Sequence, residues 1–167
     1  MSSNWSKDCE IELNKQINRE YQASLGYHNL SCYFNRDDIG INKLVDYFNK
    51  ASLEEREHAD KLMNYQNIRG GIVRLGEISS IKIELEKPND IINSFKIALD
   101  MEKNINEHLL NLHKIADSLD DAQFCDYLEG DFLKEQMESI SELSKIISVL
   151  ETFNGDQHAI WNLVQSL

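Results

Sequence analysis

The sequence predicts an all-α fold: a four-helix bundle with one long crossover between the second and third helices and a short fifth helix at the C-terminal end. Three observations carry this. One proline and seven glycines in 167 residues leave long stretches without a helix breaker. Four runs repeat core-facing residues at steps of three and four, the spacing of one helix face. Between the second and third runs, residues 72–90 lose that period.

The first helix is expected over residues 7–35, with Ile17, Glu20, Ser24, Tyr27, Leu30 and Phe34 on one face. Arg36, Asp37, Asp38 and Gly40 make the turn. The second is expected over 41–69, with Leu44, Phe48, Ala51, Glu55, His58 and Leu62 inward, and Gly70 and Gly71 stop it. In 72–90, Ile72, Val73, Leu75, Ile78, Ile81 and Ile83 read as extended chain, and Pro88, Asn89 and Asp90 signal a new helix start. The third helix is expected over 91–119, with Phe95, Leu99, Glu102, Asn106, Leu109 and Leu112 on one face. The fourth follows over 122–153, with Leu133, Gln136, Ile140, Leu143, Ile147 and Leu150 inward. A turn at 154–156 leads to a last helix over 157–166. A helix of about 30 residues spans about 45 Å. The short first and last connections force antiparallel neighbours, while the long middle one returns along the whole bundle. The length suits a single domain, 1–167.

The net charge of −12 argues against nucleic acid or an anionic membrane as a partner, because phosphate binding wants Lys and Arg. Three cysteines, Cys9, Cys32 and Cys125, form no paired motif, which fits a reducing compartment better than a disulfide framework. The first residues hold neither an apolar run nor a basic one, so the expected location is cytoplasmic.

The anomaly lies in the core. The inward stripes carry Glu20, Glu55 and Glu102 on three different helices, with His58 one turn after Glu55 and Gln136 on the fourth. Each lies near mid-helix, so they should meet at similar height. An unpaired buried carboxylate costs several kcal/mol, and neighbouring ones also repel. A bound cation neutralises them directly. Glu55 and His58 form a Glu-x-x-His pair that aims both side chains at one spot. Carboxylates with one imidazole suit iron or manganese better than copper or structural zinc. Tyr27, two turns after Glu20, is placed to hydrogen-bond a ligand or pass an electron.

Beyond these residues, QINRE at 16–20, YFNRDD at 33–38, LEEREHADKLM at 53–63, QNIRGG at 66–71, MEKNIN at 101–106 and LKEQ at 133–136 make the chain resemble eukaryotic ferritins of the heavy, ferroxidase-active type along nearly its whole length. The resemblance implies a ferritin-like bundle that stores iron: it oxidises Fe(II) to Fe(III) with dioxygen at a di-iron centre and keeps the mineral inside a shell of 24 subunits, homomeric or mixed. It implies iron as the bound metal, two transient ions per subunit, with dioxygen as co-substrate. Glu20, Glu55 and His58 match the ligands of the first iron, Glu55 the bridge, and Glu102 the ligand of the second. Glu54 matches a mobile carboxylate, and Gln136 and Tyr27 match the groups around the second ion. Bacterial relatives keep Glu and His on the fourth helix, where this chain has Gln136 and Ser139, which implies a weakly held second iron. His113, Cys125, Asp126 and Glu129 match the lining of pores that admit iron, and Glu57 and Asp60 match the inner surface where mineral nucleates. The crossover resembles the two-fold dimer contact, and Ile160, Leu163 and Val164 of the last helix are assigned to contacts with other subunits. Two rivals differ in class. A rubrerythrin-like, peroxide-consuming protein is disfavoured because the fourth helix lacks a second Glu-x-x-His, and a shell subunit of poor oxidase activity is disfavoured by the intact ligand set.

Overall fold

The computed structural model describes residues 4–167. Helix α1 (Lys7–Phe34) opens on Ser6, whose hydroxyl accepts from the Cys9 N–H at 3.0 Å, and Asp8 and Glu10 in its first turn suit the positive end of the helix dipole. It turns back through Gly40, whose φ of +63° suits a residue without Cβ. Helix α2 (Asn42–Ile68) runs antiparallel to α1 and stops at Gly70, φ +82°. Helix α3 (Asp90–Ser118) follows the crossover. The Asn89 side chain makes no capping bond, contrary to the expected signal; the Asp90 carboxylate instead takes the Tyr33 hydroxyl at 3.0 Å.

The fourth rod is helical from end to end but not uniform. It consists of α4 (Ala122–Leu128), a π-helical turn (Glu129–Leu133) and α5 (Lys134–Thr152). Phe124, Leu128, Phe132 and Gln136 all point inward at steps of four. In a pure α-helix each such step would rotate the stripe by about 40°. The wider π turn absorbs the drift. It also changes one inward position: Phe132 is buried where the regular pattern placed Leu133, which is half-buried.

The crossover has no secondary structure of its own, yet its backbone is partnered. Glu10, Asn14, Asn18 and Gln22 recur every four residues on α1 and hold it like rungs. Glu10 accepts from the Ile72 N–H (2.7 Å), and Asn14 donates to the Ile72 carbonyl (2.9 Å) and accepts from the Arg74 N–H (3.2 Å). Asn18 accepts from the Gly76 N–H (3.3 Å), and Gln22 donates to the Ser79 carbonyl (3.1 Å). Ile81, Ile83 and Leu85 then pack on the core, while Ile72 and Leu75 stay about half exposed.

Helix α6 (Gln157–Gln165) is capped by Asp156, which accepts from the His158 and Ala159 N–H groups. Its apolar face was assigned to other subunits; here Ile160, Leu163 and Val164 pack on the chain's own bundle, beside Leu150 and Phe153. A nine-residue helix gains its stability from such packing, because it is marginal alone.

The core splits in two. One cluster gathers Leu30, Phe34, Phe48, Phe95 and Leu150, the other Leu13, Leu62, Leu109, Phe124 and Leu128. On α2, α3 and α5 the polar residues Glu55, His58, Glu102 and Gln136 fall between the two, and on α1 Glu20 lies one turn before Ala23 at the edge of the second cluster. No helix among the described residues is long and apolar enough to cross a membrane.

Candidate metal centre

Each rod delivers its polar group to one layer at mid-height. Glu20 comes from α1, Glu55 and His58 from one face of α2 at a three-residue spacing, Glu102 from α3 and Gln136 from α5. All five are buried, Glu20 completely.

Glu20, Glu55 and His58 converge: one ligand atom from each lies within 4.8 Å of the others. His58 Nδ1 is 3.2 Å from Glu55 Oε2 and 3.8 Å from Glu20 Oε2. Glu20 Oε1 accepts from Gln16 Nε2 at 3.2 Å, but Oε2 is fully buried without a hydrogen-bond partner. An ionised oxygen in that position is costly unless a cation or proton sits against it.

Glu102 is nearby but differently engaged. The Tyr27 hydroxyl donates to its Oε1 at 2.6 Å, and Gln136 Nε2 donates to its Oε2 and to its backbone carbonyl. Three groups thus form a tight set, and Glu102, Tyr27 and Gln136 form a hydrogen-bonded set beside it. The second set leaves Glu102 oriented by donors it could exchange for a metal.

The charges act on one another strongly. Burial, then Glu20 and Glu102 nearby, push the Glu55 carboxyl well above the usual carboxylate range, against the pull of His58. Burial pulls the His58 imidazole down, yet the carboxylates of Glu20 and Glu55 beside it push it up to about 11. Burial and the Glu102 and Glu55 charges raise the Tyr27 phenol well above its ordinary value. The arrangement therefore favours positive charge at its centre, carried by a proton or by a metal ion.

A cleft of about 420 Å³ between α2 and α5 reaches this layer, lined by Tyr47, Glu54, Glu102, Ser139 and Glu142. Glu54 is exposed on this lining. Sequence reasoning missed Glu135, whose Oε1 lies 3.2 Å from His58 Nε2. It sits beside Gln136 within LKEQ, and the assumption of a regular helix gave no reason to turn it toward the site. Gln16 was missed too, although it lies one turn before Glu20 on the same face.

The other expected residues lie apart from the centre. His113 Nε2 is 2.8 Å from Glu129 Oε1, and the Cys125 thiol lies 3.9 Å from the His113 carbonyl. Cys125, Asp126 and Glu129 join Asp117, Asp120 and Asp121 around an acidic hollow of about 460 Å³. Glu57 and Asp60 are exposed, away from the buried face of α2.

Comparison with known proteins agrees with this geometry. The Ferritin-like domain family matches residues 11–153. A ferritin named chloroplastic from Malus baccata var. xiaojinensis is 43% identical over 166 residues, covering 98% of this chain and 66% of the relative. Ferritin-3, chloroplastic, from Vigna unguiculata is 44% identical over 166 residues, covering 98% and 64%. Ferritin-3, chloroplastic, from Arabidopsis thaliana is 42% identical over 165 residues, covering 98% and 63%. The chain thus spans just under two thirds of the length of these curated relatives. These relatives are named chloroplastic, which overturns the cytoplasmic location expected from the sequence. The bundle, its single crossover and an identity that runs along nearly the whole chain lead to one assignment: this protein belongs to the ferritin family.

Proposed function

We propose that this chain oxidises Fe(II) with dioxygen inside its bundle and stores the ferric product within a shell of 24 subunits. The observation that carries this reading is the buried Glu20 Oε2, which faces Glu55 and His58 without a hydrogen-bond partner. Three ligand atoms of this kind fit a hard, positively charged substrate such as iron.

Glu20, Glu55 and His58 hold one Fe(II), with Glu55 bridging toward a second. Glu102 takes the second after exchanging the donors Tyr27 and Gln136, which then steady the free carboxylate oxygen. With only one protein carboxylate of its own, the second position releases its ion readily. The protein holds two ions beside one oxidant, so each can give an electron without waiting for diffusion. Glu54 at the cleft and Glu135 beside His58 exchange ions with the centre. The acidic hollow of Asp126, Glu129 and Cys125, with His113 against Glu129, draws in Fe(II) by its field. Glu57 and Asp60 offer carboxylates on which ferric product nucleates. The exposed Ile72 and Leu75 of the crossover supply apolar surface for subunit pairing.

The test is to mix apoprotein with Fe(II) in air and follow ferric absorbance. The wild-type chain gives a fast phase followed by soluble mineral. Glu55→Ala with His58→Ala abolishes the fast phase while the shell still assembles; an unchanged initial rate would refute the assignment.

A further inference from the structure

A line of aromatic rings leads away from His58. The His58 ring meets the edge of Phe132 at 5.7 Å between centroids, and Phe132 meets Tyr127 at 5.5 Å. Tyr127 stacks on Tyr65 at 4.0 Å with the planes only 12° apart, and Tyr65 meets Trp5 at 5.9 Å. Phe132 is buried, whereas Tyr127, Tyr65 and Trp5 are half-buried, so the line runs from the core to the surface. Ordinary packing needs apolar area there, not two phenols stacked face to face with hydroxyls turned to polar partners. Tyr127 donates to the Lys61 carbonyl in an exposed bond of 3.1 Å. The Tyr65 oxygen accepts from Arg69 Nη1 at 2.7 Å, and Trp5 Nε1 donates to Gln66 at 2.7 Å. Tyrosine and tryptophan are the two side chains whose rings give up an electron most readily, and His58 at the inner end of this line is a ligand in the proposed Fe(II) oxidation.

We infer that the stacked Tyr65–Tyr127 pair, with Trp5 at its outer end, is an electron relay that protects the chain when hydrogen peroxide meets a centre holding one Fe(II). This rests on the proposed function. Cleaving the O–O bond to water and hydroxide takes two electrons and one proton. The Fe(II) gives one electron and becomes Fe(III). A tyrosine gives the other together with its phenolic proton and becomes a neutral tyrosyl radical. The electron reaches the site past Phe132 and His58, and the proton leaves from the Tyr127 hydroxyl to water. Without the tyrosine the same cleavage releases a hydroxyl radical. The hole is refilled at the half-exposed Tyr127 and Trp5 by a small soluble reductant of the thiol or ascorbate class.

The relay is tested in two arms, using the whole chain with Phe substitutions that keep the rings. In the iron-free arm, azide radicals made by pulse radiolysis oxidise tryptophan in a Trp161→Phe background. The tryptophanyl absorption should decay into tyrosyl absorption at a rate independent of protein concentration. Tyr65→Phe should slow that decay about tenfold or more. Absence of the transfer, or an unchanged rate in Tyr65→Phe, overturns the relay whatever the chain does with iron. In the second arm, one equivalent each of Fe(II) and hydrogen peroxide are mixed without air and frozen for electron paramagnetic resonance. A tyrosyl signal should form, persist in Tyr27→Phe, and fall about fivefold or more in Tyr65→Phe with Tyr127→Phe. Spin-trapped hydroxyl radical should rise in the double variant, while its oxidation of Fe(II) by dioxygen stays unchanged. A signal lost with Tyr27→Phe, or none at all, overturns the inference. If wild-type protein fails to oxidise Fe(II) in air, the proposed function falls, and the iron-free arm still decides the relay.

Discussion

The Tyr27 hydroxyl donates a 2.6 Å hydrogen bond to Glu102 Oε1, tying α1 to α3 across the bundle core. A short bond from a buried phenol to a carboxylate is worth more than an ordinary one, because the acceptor carries charge. Tyr27→Phe removes the donor and leaves Glu102 with Gln136 as its remaining side-chain partner. The expected cost is about 1.5–3 kcal/mol, read by urea denaturation of the iron-free protein. The initial rate of Fe(II) oxidation should fall as Glu102 loses its orientation, while mineral formation continues.

Glu20→Gln should separate folding from binding. The wild-type carboxylate leaves Oε2 buried without a hydrogen-bond partner, so a neutral amide of the same shape relieves a penalty of about 1–3 kcal/mol. Thermal melting of the metal-free variant should occur at or above the wild-type temperature. Added Co(II), used as an air-stable probe, should raise the wild-type midpoint and leave that of the variant where it was. A variant that melts lower and still responds to Co(II) would contradict this account of Glu20.

Metal binding should release protons. Neighbouring carboxylates push the His58 imidazole up to about 11, and Glu55 is raised well above the usual carboxylate range. Both must deprotonate to ligate, so lower pH favours the protonated, metal-free form. Titration calorimetry with Zn(II) near neutral pH, in buffers of different ionisation enthalpy, should read about one proton or more released per ion. Affinity should rise about tenfold per pH unit for each proton released. An enthalpy independent of buffer would refute the coupling.

The Asp126→Asn, Glu129→Gln double variant should take up iron more slowly at low Fe(II), and the difference should shrink as salt is added. Both effects follow if the hollow works by its field, which ions screen. Equal uptake at every concentration would remove the role of this hollow.

Asp121 both caps α4 and grips Arg69. Its Oδ1 accepts from the Phe124 N–H at 3.0 Å, and its two oxygens take the guanidinium at 3.1 and 2.7 Å. Arg69 also lies over the Trp5 ring at 4.6 Å. Asp121→Ala removes both carboxylate bonds to a buried guanidinium together with the cap of α4 and should cost about 2–4 kcal/mol in chemical denaturation. Arg69→Met should cost less, because it removes the charge along with its partner bond.

Much of this was legible in the sequence, because a helix face repeats every three or four residues and a buried carboxylate breaks that repeat visibly. Glu20, Glu55, His58, Glu102 and Gln136 stood out as polar residues on apolar stripes, and the structure buries all five in one layer. The π turn at Glu129–Leu133 was not legible, since its only trace is a run of inward residues at steps of four. For that reason Leu133 was expected inward where Phe132 is buried, and Glu135 escaped notice. The rungs from α1 to the crossover were hidden as well: Asn14, Asn18 and Gln22 bind backbone atoms, which carry no sequence signal. The last helix turned inward because the bundle end offered Leu150 and Phe153 as a surface, a tertiary fact beyond local pattern.

The most direct measurement is anomalous diffraction at the iron edge from crystals soaked anaerobically in ferrous salt. A strong peak within coordination distance of Glu20, Glu55 and His58, with a weaker one beside Glu102, is the predicted result. A map without iron among those side chains, with Glu20 still buried there, would contradict the account.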